Sequence, residues 1–326
     1  MPFSLVANSP RTFFCLAIRN YDYIVTYKFK LDGQFRVEIG SSGYIQSHFM
    51  PLDRGSSDSM AYRLHNYTGG SVHDHTFGFK VDLDVGGETN SFLTHNQKFG
   101  PTLEALNAGR EAEELLTEKP PYLLFDTMRY VEYATVQTEE ESLRDIDPQN
   151  PNSWFFGDTT KKNKWGNTRA YHLHLDSNPS SLIPADSHTL PAFNFANQML
   201  GVTVYKEEEQ SLTGFYDLNR LDDPQGDFYR YFDGESIVQE DIVAWVTLTA
   251  LHLPTSENMP MTNNIVHGFT LGPHNFFDEN PAMDLPHYLR MHPTEAEGDT
   301  RSEDLPVVET CTPFEFDSLS HTFSGV

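Results

Sequence analysis

Apolar and aromatic side chains recur on alternate residues along much of this chain, which predicts mainly β-structure. From Tyr23 to Leu31 the odd positions are Tyr23, Val25, Tyr27, Phe29 and Leu31, while Thr26, Lys28 and Lys30 fall between them. Asp32-Gly33 follows, a strong hairpin signal, and Phe35, Val37 and Ile39 then alternate with Arg36 and Glu38. Further alternating strands are predicted from His73 to Val85 and from Asp241 to His252. One helix is predicted over Thr102 to Glu118, where Ala105, Ala108, Ala112, Leu115 and Leu116 share a face and Lys119-Pro120-Pro121 ends it. The stretch from Glu139 to Ser153 is acidic and rich in turn formers, and reads as loop. From Met291 onward the chain is acidic and punctuated by proline, and residues 293–326 are expected to form an irregular tail. With no internal repeat and no clear linker, one β-rich domain is the simplest account of residues 1–326.

Composition narrows the function. The 326 residues carry 47 acids against 22 bases, a formal net charge of -25. Nucleic acid is excluded as the main partner, because phosphate binding needs a basic footprint, and an anionic lipid surface is disfavoured for the same reason. The apolar run Phe13–Ile18 is too short to span a bilayer. The start has no signal-peptide pattern and Ser324-Gly325-Val326 is no peroxisomal address, so the sequence assigns no compartment. Twenty-four Phe and 15 Tyr argue for a packed core rather than an acidic disordered chain. The two cysteines, Cys15 and Cys311, rule out a disulfide scaffold and a Cys-based metal site; whether they pair is not decided by spacing.

The 14 histidines include two His-x-His pairs, His73/His75 and His172/His174. On a strand this spacing puts both imidazoles on one face, close enough to share a metal. On the His73 strand the imidazoles share parity with Phe77, Phe79, Val81 and Leu83, the apolar face, while Asp82 and Asp84 point the other way. The third strand repeats the division: His252 shares a face with Ala244, Val246, Leu248 and Ala250, and Asp241 lies opposite. An inward site of imidazoles alone suits zinc, copper or iron. Outward carboxylates at i and i+2 suit a hard cation such as calcium, or form an ordinary solvated face. His172/His174 has no such carboxylate pattern and reads as structural.

At this point the residues carry a resemblance. In order along the chain stand Asn20-Tyr21-Asp22-Tyr23, His73-Asp74-His75, Val81-Asp82-Leu83-Asp84-Val85, Asn90-Ser91-Phe92, Lys164-Trp165-Gly166-Asn167, Asp233-Gly234-Glu235, Asp241-Ile242-Val243-Ala244-Trp245-Val246, Leu251-His252-Leu253-Pro254 and Asn275-Phe276-Phe277-Asp278-Glu279-Asn280-Pro281. Together they resemble the catalytic domain of the copper-containing, topaquinone-dependent primary amine oxidases, over most of residues 11–292. The resemblance implies a large antiparallel β-sandwich and a homodimer. It implies oxidative deamination of small primary amines by dioxygen to aldehyde, ammonia and hydrogen peroxide. Tyr21 would be the topaquinone precursor, flanked by Asn20 and Asp22 in the cofactor motif. His73, His75 and His252 would hold copper(II). A first calcium site would use Asp82, Asp84 and Asp241 with the carbonyls of Leu83 and Ile242. A second would use Glu139, Asp233 and Glu235 with the carbonyl of Arg230.

Two departures from the family pattern bear on activity. Ala17 stands four before Tyr21, where the family carries Thr or Ser. The family's catalytic aspartate and a quinone-bonding tyrosine lie well upstream of the cofactor tyrosine, and only twenty residues precede Tyr21, so the chain is expected to be an N-terminally truncated catalytic domain without the family's N-terminal domains. A second reading is therefore a copper- and calcium-binding sandwich that turns nothing over. A zinc hydrolase built on the same three histidines is a third, and it needs a carboxylate at the metal.

Overall fold

The computed structural model describes residues 11–55, 61–145, 152–176, 183–184 and 186–281. Fifteen strands and one α-helix lie among them. In chain order the strands are β1 (Arg11–Ile18), β2 (Tyr21–Phe29), β3 (Phe35–Tyr44), β4 (Ser47–Phe49), β5 (Ala61–His65), β6 (Thr68–Ser71), β7 (His73–Asp82), β8 (Asn90–Pro101), β9 (Thr127–Thr135), β10 (Asn152–Gly157), β11 (Ala170–Leu175), β12 (Leu200–Val204), β13 (Val238–Glu240), β14 (Ile242–His252) and β15 (Met261–His274).

Nine strands form the large sheet, in the order β1-β2-β3-β15-β11-β10-β8-β13, with β9 also paired to β8. Facing it is a three-stranded sheet, β12-β14-β7, and a small sheet β4-β6-β5 stands at one end. The pairings within the sheets are antiparallel. Val37, Phe92, Phe156, Leu173 and Phe269 of the large sheet pack against Val202, Ala244, Val246 and Leu248 of the three-stranded one, which is the sandwich core. The other face of β14 is buried as well: Val243 and Trp245 lie under Phe195, Leu212, Phe228 and Phe232. Both faces of β14 are thus covered, and the Trp245 indole N–H donates to Thr203 Oγ1 at 2.9 Å.

The predicted hairpin is β2–β3, and Gly33 at its turn has φ 84°. At the other end Tyr21 pairs with Gly43, whose φ is 104° and where a Cβ would stand 2.7 Å from the Asn20 carbonyl. Glycine there lets the chain close tightly beside Tyr21. The predicted strand His73–Val85 ends at Asp82, before the turn that holds Gly86 and Gly87; the predicted strand Asp241–His252 begins one residue later, at Ile242.

The helix is shorter than its pattern predicts. It spans Thr102–Asn107 and gives way to an isolated 3-10 turn at Ala112–Glu114. Gly109 takes φ 77°, and the Asn107 side chain accepts from Leu116 N and donates to Leu116 O, folding the chain back on itself. The helix packs against β8 and β9 with Ala105 and Ala108 half-buried, but Ala112 and Leu115 beyond it are exposed, so that part of the apolar face read from the sequence is left uncovered. Within the acidic stretch, Glu140–Ser142 forms a single 3-10 turn, residues 146–151 lie outside the described residues, and β10 begins at Asn152. The proposed tail and Cys311 also lie outside the described residues, while Cys15 is a free, exposed thiol. His172 stacks on Phe155 at 4.7 Å on the outer face of the large sheet, where His95 and His274 also meet that ring.

Candidate metal centre

Three strands converge on one point inside the sandwich. Tyr21 opens β2 in the large sheet; His73 and His75 open β7; His252 closes β14, paired directly with His73. The strand alternation that puts His73 and His75 on one face turns both toward β2, and Tyr21, His75 and His252 are all buried. Ligand nitrogens of the three imidazoles lie within 4.8 Å of one another. The Tyr21 hydroxyl is 2.9 Å from His73 Nε2 and 3.0 Å from His252 Nδ1.

Hydrogen bonding on the far side of each ring shows which nitrogen is free. His73 Nδ1 is 2.8 Å from the Ser71 carbonyl, which can only accept, so Nδ1 carries the hydrogen and Nε2 keeps its lone pair. His252 Nε2 is 3.3 Å from Asn258 Oδ1, which also accepts from Thr255 N, so the lone pair of His252 is on Nδ1. Both lone pairs face the single hydroxyl hydrogen of Tyr21. His75 Nε2 is buried with no hydrogen-bond partner. Three imidazole nitrogens thus converge where only one hydrogen is on offer, and a cation answers that shortage. The donor set, imidazole alone, fits copper or zinc and not a hard ion.

Burial dominates the electrostatics. It pushes His75 down to about 4, assisted by His73, His252 and His267, and it lowers His252 against the bond from Asn258. Both rings are therefore neutral at pH 7, the form that ligates metal. Burial raises the Tyr21 phenol, so positive charge placed beside it would favour its ionisation.

The other residues singled out from the sequence fall into two clusters and some outliers. Asp82, Asp84 and Asp241 come together on the exposed side of the three-stranded sheet, and burial followed by repulsion from Asp82, Asp84 and Glu88 raises Asp241. Leu83, between Asp82 and Asp84, and Ile242, directly after Asp241, have buried side chains. Glu139, Asp233 and Glu235 form the second cluster. Glu139 is fully buried, and its two oxygens accept from Val204 N at 3.0 Å and Asp233 N at 2.9 Å. Arg230 precedes this cluster, its guanidinium paired with Asp227 at 3.0 Å. Asn20 does not reach the phenol: its amide donates to the Tyr44 carbonyl at 2.7 Å. Asp22, adjacent to Tyr21 in the strand and paired with Ala17 and Ser42, is directed to the opposite face.

Four functional candidates went unread in the sequence. The Lys206 ammonium sits in the second cluster, 2.8 Å from Asp233 and 2.5 Å from Glu235. Glu209 borders it with a buried, unpartnered Oε2, and burial pushes its carboxyl up to about 7. Asn258 and Tyr23 hold the outer nitrogens of His252 and His75. Lys206-Glu207-Glu208-Glu209 reads as a charged surface run, and no spacing rule connects residues that meet only across the fold.

Residues 12–292 match the family described as copper amine oxidase, enzyme domain. Among curated proteins, amine oxidase [copper-containing] 3 of Rattus norvegicus is 33% identical over 270 residues, covering 82% of this chain and 33% of that protein. The liver isozyme of primary amine oxidase from Bos taurus is 29% identical over 299 residues, covering 90% of this chain and 37% of that protein. Among solved structures, the Pichia pastoris lysyl oxidase PPLO superposes with a TM-score of 0.73 at 28% identity, covering 85% of this chain and 36% of that one. The chain therefore spans about a third of the length of the relatives it matches. Among the described residues no helix is long and apolar enough to cross a membrane.

Proposed function

The chain belongs to the copper amine oxidase family, and we propose that His73, His75 and His252 hold copper beside Tyr21 in the catalytic domain of a primary-amine oxidase. The convergence of three imidazole nitrogens within 4.8 Å of one another, two of them within hydrogen-bond reach of the Tyr21 hydroxyl, carries this reading. Copper, together with a topaquinone made from Tyr21, would supply the oxidation of a primary amine by dioxygen to aldehyde, ammonia and hydrogen peroxide. Residues 1–326 are then part of a catalytic domain, with a homodimer as the assembly and calcium at the two carboxylate clusters.

The residues in hand prepare that chemistry. His73 Nε2 and His252 Nδ1 stand within hydrogen-bond reach of the phenol, so either can take its proton. Stacking of Tyr21 on Tyr23, with ring centroids 6.0 Å apart and planes 19° apart, holds the ring in place from the side. The sandwich core excludes water from the buried phenol and lengthens the reach of any nearby charge. Asn258 and Ser71 keep the metal-facing nitrogens of His252 and His73 unprotonated.

Turnover also needs a base for the α-proton of the amine. The Tyr21 hydroxyl is within hydrogen-bond reach of His73 and His252, and neither is a carboxylate. That observation favours a second reading, a sandwich that binds copper and calcium without turnover. Copper-loaded, aerated protein given benzylamine separates the two. Stoichiometric aldehyde and peroxide release supports the oxidase, whereas copper at one ion per chain with no peroxide supports the binding protein. Failure of the chain to retain copper in competition with a weak chelator contradicts both.

A further inference from the structure

The geometry points to Tyr23 as a positioning residue for this centre: we propose that its hydroxyl oxygen holds His75 in the tautomer and ring orientation that present Nε2 to the metal. The inference rests on the reading of the three histidines as a metal site. The Tyr23 hydroxyl lies 3.3 Å from His75 Nδ1, while the other ring nitrogen, Nε2, is buried without a hydrogen-bond partner.

The three imidazoles are not held alike. The outer nitrogens of His73 and His252 meet oxygens that can only accept, the Ser71 carbonyl and Asn258 Oδ1, so those partners dictate the tautomer. Of the three outer nitrogens only that of His75 meets a hydroxyl, which can either donate or accept. The unpartnered Nε2 decides between the two. If Tyr23 donated to Nδ1, the hydrogen of His75 would sit on Nε2, buried and without an acceptor. An orphaned buried N–H is rarer and costlier than an unfilled lone pair. His75 therefore donates from Nδ1 to the Tyr23 oxygen, and its Nε2 lone pair is left for a cation.

Tyr23 is well placed to do this. It lies two residues after Tyr21 on β2, so strand alternation aims both rings into the sandwich. Tyr21 packs on one side of it, and Phe77 meets it edge-on at 5.3 Å. The same Phe77 ring stacks parallel to His75 at 6.5 Å, so one aromatic residue limits the movement of both members of the pair. The arrangement also separates the roles of the two tyrosines. Tyr21 meets metal-facing nitrogens of two histidines, whereas Tyr23 meets the remote nitrogen of the third.

The test is copper(II) binding to the full-length apoprotein, with the wild type, Tyr23→Phe and His75→Ala compared by chelator competition and pulsed EPR of the remote imidazole nitrogens. Tyr23→Phe keeps the ring and removes only the oxygen. It is expected to weaken copper binding about 10–100-fold, the usual scale for losing a partner behind a metal ligand. The remote-nitrogen coupling of one imidazole should shift while the other two keep theirs. Should Tyr23→Phe fail to fold, para-aminophenylalanine at position 23, the same shape with a poor acceptor in place of the oxygen, should show the same shift. Binding within about twofold of wild type, with unchanged couplings, would overturn the positioning role. A wild-type protein whose copper signal carries no imidazole coupling would instead overturn the metal-site reading on which it rests.

Discussion

Tyr21 and His252 are 231 residues apart in the chain, and the phenolic oxygen of one lies 3.0 Å from Nδ1 of the other. Tyr21 belongs to the large sheet and His252 to the three-stranded one, so the contact spans the sandwich. It exists only when the two sheets have packed. A metal bound at this point therefore binds the folded chain and not the unfolded one, and its binding free energy adds to stability.

Copper should accordingly raise the melting temperature of the apoprotein. At a free copper concentration 100 times the dissociation constant, the gain is about 2.7 kcal/mol. His252→Ala and His73→Ala should each lose that gain, because each removes one of three ligands. Melting curves with and without copper check this; an equal rise in His252→Ala would show that the metal stabilises the chain from another site.

Acid should weaken the fold through histidines far from the metal centre. Burial, then the charge of neighbouring imidazoles, pushes both His95 and His172 down to about 4. An unfolded histidine titrates near about 6.5. Below that pH the unfolded chain takes up protons that the folded chain refuses, so stability present above about 6.5 falls until about 4 and then levels off. The slope is at most roughly 1.4 kcal/mol per pH unit for each group. Urea midpoints at pH 7 and pH 5 should therefore differ less in a His95→Gln/His172→Gln variant than in the wild type. A difference of the same size in both would exclude these two residues as the source.

Calcium at the second cluster should compete with an internal cation. The Lys206 ammonium already pairs with Asp233 and Glu235, and burial together with the neighbouring carboxylates pushes Glu209 up to about 7. Lys206→Met should remove the competing charge, tightening terbium or calcium binding by roughly tenfold or more, a change of about 1.4 kcal/mol. In calcium-free buffer the same variant should melt lower than wild type, because several carboxylates then repel one another without compensation. Terbium luminescence titration reads the first effect, and unchanged affinity would mean that Lys206 does not stand in the cation's place.

The edge strand β1 should drive self-association of the isolated chain. Phe13, Leu16 and Ile18 are 71%, 47% and 53% exposed, on a strand that stands at the edge of the large sheet among the described residues. Such edges template further strand pairing unless charge interrupts them. Phe13→Lys/Leu16→Lys should lower light scattering at a given concentration and leave copper binding unchanged. Equal scattering would place the association surface elsewhere.

The centre was legible in the sequence because strand parity is a strict rule. His73, His75 and His252 fall on the apolar parity of their strands and Asp82, Asp84 and Asp241 on the other, and the fold groups them that way: His75 and His252 buried with His73 half-buried, and the three carboxylates exposed. The family resemblance supplied Tyr21, which parity alone would have left as one more core aromatic. What the pattern could not supply was contact between distant segments. Tyr23, Lys206 and Glu209 act on residues that reach them only through packing, and Asn258 meets His252 only because the chain turns back at Thr255. The helix was overextended for a related reason. Ala and Leu at helical spacing show that a face could be buried, but not that anything is there to cover it, and Leu115 is left in solvent.

The central claim is that Tyr21 is a copper-dependent cofactor precursor. The most direct measurement is the visible absorption spectrum of copper-reconstituted, aerated protein, titrated with phenylhydrazine beside a Tyr21→Phe control. The account predicts a quinone band that appears only with copper and oxygen, shifts on titration to one equivalent per chain, and is missing in Tyr21→Phe. A protein that binds copper through its three histidines yet stays without that band, or whose band persists in Tyr21→Phe, would contradict it.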